Sequence, residues 1–68
     1  MLDFATCTIE DALLSFFKDH MSFDDAIAAI TTGFTIANRI EEIETFLSDK
    51  DVMTGTMLRI ISEALSFQ

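Results

Sequence analysis

The sequence predicts an all-α domain, a small three-helix bundle, on three observations. Apolar residues recur at intervals of three and four along most of the chain, and a Ser or Thr stands three residues ahead of an Asp at three places. No segment alternates polar and apolar side chains for the length of a strand.

The three Ser/Thr-to-Asp pairs are Thr8 with Asp11, Ser22 with Asp25, and Ser48 with Asp51. Each resembles a capping box, in which the hydroxyl accepts a bond from the third helical N–H and the acid reaches back to the cap. Behind Thr8, Ile9, Leu13, Phe16 and His20 share a face that Ala12 and Phe17 broaden, and the helix is expected to end near His20 or Met21.

Behind Ser22 the stripe Phe23, Ile27, Ile30, Phe34 and Ala37 passes in phase into Ile36, Ile40, Ile43 and Leu47. That pattern predicts one long helix to about Leu47. The run Thr31, Thr32, Gly33 weakens it, so a kink or break is expected at Gly33. Behind Ser48 lie two stripes side by side: Met53, Met57, Ile60, Ala64 and Phe67, then Leu58, Ile61 and Leu65. A helix apolar over that much of its circumference belongs at the centre of a bundle or in an interface.

The chain has neither a proline nor a linker, so residues 1–68 read as a single domain. At that length a lone core stabilises weakly and often needs staples. Cys7 is the only cysteine, which excludes an internal disulfide and suits a reducing cytoplasm. Yet 26 of the 68 residues are Val, Ile, Leu, Met or Phe, more than so small a bundle hides. The surplus points to an association surface, and Met53, Met57, Leu58 and Ile61 are the residues expected to form it, with Leu2, Phe4 and Phe67 as a second apolar group. Flexible Met side chains suit an adaptable protein contact.

Charge and run length exclude other classes. The longest apolar run is the five residues Ala26 to Ile30, too short to span a membrane, and MLDFATCTIED lacks the basic start of a signal peptide, so a soluble, unprocessed chain is expected. A net charge of −8 repels phosphate backbones, which argues against direct nucleic-acid binding. A helix-turn-helix reading around Ala29 and Gly33 fails on the same ground, because its recognition helix would be IANRIEEIETF.

No catalytic, metal or cofactor site is expected. A nucleophile pair of Cys7 and His20 has no third group to orient it, and His20 beside Asp19 reads as a helix-end residue. The acid clusters lack EF-hand spacing, and two glycines cannot make a phosphate cradle. Size and charge resemble acyl carrier proteins, but Gly33-Phe34-Thr35-Ile36 supplies neither the acid nor the serine of their Asp-Ser-Leu motif.

Glu10, Asp11, Asp24, Asp25, Asp49 and Asp51 all fall at expected helix starts, where a carboxylate stabilises the helix dipole. Arg59 is placed to pair with Glu63 one turn on. Glu41, Glu42 and Glu44 remain as an acidic contact surface. The expected function is therefore a small acidic cytoplasmic interaction module, such as a regulator, inhibitor or chaperone-like subunit. It would pack helices on a protein partner or on itself as a homodimer. The alternative is an acidic nucleic-acid mimic that blocks a DNA- or RNA-binding protein.

Overall fold

Local chemistry at the helix ends sets the architecture. In the structure, a computed structural model that describes residues 2–66, there are four helices: α1 (Ile9–Lys18), α2 (Phe23–Ile36), α3 (Ile40–Ser48) and α4 (Lys50–Ser66). The capping box at Thr8 is present, with the hydroxyl accepting from Asp11 N at 3.0 Å and the Asp11 carboxylate accepting from Thr8 N. Ser22 accepts from Asp25 N at 3.2 Å and starts α2. The third cap is one residue later than expected: Asp49 Oδ1 accepts from Val52 N at 3.1 Å. Ser48 closes α3 instead, donating to Thr45 O at 3.1 Å.

The long middle helix of the three-helix reading is two helices, and the break is at Asn38, not at Gly33. Gly33 lies inside α2, fully enclosed and without a positive φ. The weakness expected of Thr31 and Thr32 is offset because their hydroxyls donate to the carbonyls of Ile27 and Ala28, one turn back, at 2.8 and 2.9 Å; Thr35 repeats the bond to Thr31. Asn38 instead takes φ 60°. Asn38 N donates to Thr35 O and Arg39 N to Phe34 O, the paired bonds of a Schellman ending, in which Asn is tolerated where glycine is commonest. The end of α1 is built the same way around His20, φ 61°, with His20 N donating to Phe17 O and Met21 N to Phe16 O. His20 thus terminates its helix and does not extend the buried stripe.

Each helix packs on two others, α1 on α2 and α4, and α3 on α2 and α4, so the four close into a ring. The shortest dimension, 19 Å, is about two helix diameters. One cluster fills the centre with side chains from every helix: Leu13 from α1, Ile30 and Phe34 from α2, Ile43 and Phe46 from α3, Ile60 from α4. The α1–α4 contact is the most extensive, yet α4 contributes only Ile60 to the fully buried set. It is a flanking helix, not the central one.

The two glycines do different things. An alanine Cβ at Gly33 would lie 2.5 Å from ring carbons of Phe4, so the missing side chain is the notch in which Phe4 sits. Gly55 faces open space in mid-α4. Gly55→Ala is therefore expected to raise stability by about 1 kcal/mol in chemical denaturation, the ordinary helix-propensity gain. Gly33→Ala is expected to show that gain only in a Phe4→Ala background. Beside Phe4 the gain disappears, and the double-mutant cycle returns a coupling of roughly 1 to 3 kcal/mol.

Candidate functional site

The last helix carries the residues expected to bind, and the structure divides them. Met53 and Met57 are half-buried and pack against the central cluster, in line with Ile60 and Ala64. Leu58 and Ile61 point outward with Leu65, at exposures of 66%, 37% and 59%. Spacings of three and four put these three on one stripe. Met53 and Met57 are thus the inner stripe of α4 and Leu58 and Ile61 the outer, not one apolar face.

The outer stripe does not stand alone. Beside it a depression of about 630 Å³ is lined by Phe17, Met21, Ile61, Ala64 and Leu65, with Lys18 and His20 at its edge. Met21, just past the αL turn of His20, is 38% exposed. The Schellman ending of α1 therefore delivers another apolar side chain to the same face. In the second apolar group, Leu2 and Phe4 pack inward against the cluster, while Phe67 lies outside the described residues. The ring of Phe4 stacks on Phe16 at 6.2 Å and meets Phe34 edge-on at 5.9 Å.

Of the acidic residues, Glu41 and Glu42 line a depression between α3 and the start of α4, and Glu44 is exposed outside it. Glu42 is ion-paired with Arg39. Arg39 itself was not singled out by the sequence, yet its side chain joins two loop carbonyls, a carboxylate and an aromatic ring. Its Nη1 donates to the carbonyls of Phe4, at 2.9 Å, and Cys7, and its guanidinium lies 4.7 Å from the centre of the Phe34 ring. Phe4 and Cys7 lie more than thirty positions away, a pairing no local pattern displays. The expected Arg59–Glu63 pair is replaced by a bond across the α1–α4 seam, Arg59 Nη2 to Glu10 Oε1 at 2.6 Å.

The break at Asn38 also redirects the middle stripe. Ile36, expected to run on with Ile40 and Ile43, is 81% exposed, and Ile40 is partly exposed. Only Ile43 and Leu47 turn inward.

The chemically reactive side chains stay apart. Cys7 precedes α1 and His20 follows it, so the ten residues of the helix, about 15 Å, separate them. Burial pushes the Cys7 thiol above its ordinary value, against the opposing pull of Arg39, which leaves it a poor nucleophile. Among the described residues no three His, Cys, Asp or Glu side chains gather as a metal site. No described helix is long and apolar enough to cross a membrane. Comparison with models of protein families, with curated proteins and with solved structures returned no match to this chain.

The connectivity of Arg39 has a direct test. Arg39→Ala leaves two backbone carbonyls without their donor and uncovers the face of Phe34, and it is expected to lower stability by about 2 kcal/mol in urea denaturation. Arg39→Lys is expected to recover less than half of that, because an ammonium cannot fork between carbonyls and stack on a ring at once.

Proposed function

We propose that this protein is a small acidic interaction module that works by packing the outer face of α4 against a protein, in the first instance a second copy of itself. The observation that carries the reading is the exposed stripe Leu58, Ile61 and Leu65, extended by Met21. The inner stripe of α4 supplies Ile60, Met53 and Met57 to the core, and Leu58 and Leu65 of the outer one stay more than half exposed. Contiguous apolar surface of this kind marks interaction sites. A helix face that meets its own copy across a two-fold axis buries the same residues on both chains and closes the assembly at two chains.

Residence in a reducing cytoplasm and service as a regulator, inhibitor or chaperone-like subunit belong to the same proposal. The lone Cys7, half-buried and held in its thiol form, supports the compartment. The nucleic-acid-mimic reading draws less support. Glu42 is neutralised by Arg39 and Glu10 by Arg59, and Glu10, Asp11, Asp24, Asp25, Glu41, Glu42 and Asp51 occupy first turns of helices, where their charge serves the dipole.

Sedimentation velocity over a concentration series is the test. The wild-type chain is expected to pass from monomer to dimer as concentration rises, and Leu58→Asp with Leu65→Asp to stay monomeric with its helical circular dichroism intact. A wild type that remains a folded monomer throughout removes self-association from the proposal.

A further inference from the structure

Two adjoining depressions follow the seam where α3 turns into α4 and continue toward the start of α1. The larger, about 930 Å³, lies over Ile40, Phe46 and Val52, and the smaller, about 360 Å³, passes Ile9 and Thr56. Glu42, Phe46 and Val52 line both, so together they make one elongated groove. Its floor is apolar and reachable: Phe46 closes the bottom, while Ile40 and Val52 are 43% and 54% exposed. Around it stand the carboxylates of Glu41, Glu42, Asp49 and Glu10.

Arg39, the one cation lining the groove among the described residues, is taken up by Glu42 and by the carbonyls of Phe4 and Cys7. Glu10 is likewise paired with Arg59, so the field of the rim comes from Glu41 and Asp49, reinforced by the chain's net charge of −8. An acidic rim around an apolar floor is complementary to one kind of surface, a segment that carries Lys or Arg beside an apolar side chain. We infer that this groove docks a basic amphipathic helix of another protein, its apolar residues on Ile40 and Val52 and its cations against Glu41 and Asp49. Like charge excludes nucleic acid from the same groove.

The inference rests on reading the chain as an interaction module, but on a surface separate from the outer face of α4. The test is titration calorimetry of the 68-residue chain with three synthetic peptides of about 14 residues, long enough for some 20 Å of helix. One is an amphipathic Lys/Leu helix, one a Lys/Ser peptide of equal charge, and one a Glu/Leu peptide of equal apolar pattern. The Lys/Leu peptide is expected to bind at least about tenfold more tightly than either control, and less tightly as salt rises from about 50 to about 300 mM.

Glu41→Gln combined with Asp49→Asn, the latter keeping a competent cap for α4, is expected to weaken that peptide roughly tenfold with helicity unchanged. Val52→Ser is expected to weaken it as well, and Leu58→Asp to leave it alone. Failure of the Lys/Leu peptide to bind, equal binding by the Lys/Ser peptide, or a loss that follows Leu58→Asp in place of Val52→Ser would each overturn the groove assignment. Sedimentation of the same samples keeps the two proposals apart. A monomer that takes the peptide removes self-association and keeps the groove, and a dimer indifferent to the peptide does the reverse.

Discussion

The guanidinium of Arg39 is the joint on which the rest of the molecule is hung. It stands at the sharp turn between α2 and α3, lies over the Phe34 ring, and reaches back to the carbonyls of Phe4 and Cys7. Those bonds hold the turn that precedes α1, itself wound by Asp3, whose carboxylate accepts from Ala5 N and the Thr6 hydroxyl. With that turn in place the Phe4 ring enters the notch over Gly33 and completes an aromatic group with Phe16 and Phe34. A charged side chain only partly shielded from water thus aligns three elements. Its bonds are charge-assisted and its ring contact adds to them, so it joins distant segments as a disulfide does in other small domains.

The helical class and the first two helix starts were legible in the sequence because both depend on neighbours within one turn. Thr8 and Ser22 cap what they precede, and periodicity separated Met53, Met57 and Ile60 from Leu58, Ile61 and Leu65 even though it could not say which stripe faced inward. The count of helices went astray because an unbroken phase was read as an unbroken helix. The signal that corrects it is present: Asn38 is one of the few residues at ease with positive φ, and it stands where a glycine would have been recognised. Gly33 drew attention instead, although its missing side chain serves a contact with Phe4, 29 positions away. Long-range contacts of this kind, including those of Arg39, leave no local trace.

The two surfaces put forward for binding arise from the same economy of a short chain. Helices of nine to seventeen residues in a single ring each bury one side only, and the apolar residues in excess of that side must face out. On α4 they form an uncharged stripe, and at the α3–α4 seam they lie beneath carboxylates. The difference in polarity gives the two faces different chemical preferences.

The ring arrangement also governs how the chain acquires its shape. Three of its joints, α1 with α2, α2 with α3 and α3 with α4, link consecutive helices, and the fourth brings α4 back to α1. Short-range joints form with little loss of loop entropy, so the first three can assemble quickly, whereas the fourth waits on the rest of the chain. The joint between α4 and α1 is also the most extensive of the four, so once made it holds the first and last helices together. A protein seated on the outer face of α4 would hold the helix that closes the ring, and by holding it would slow the opening of the whole.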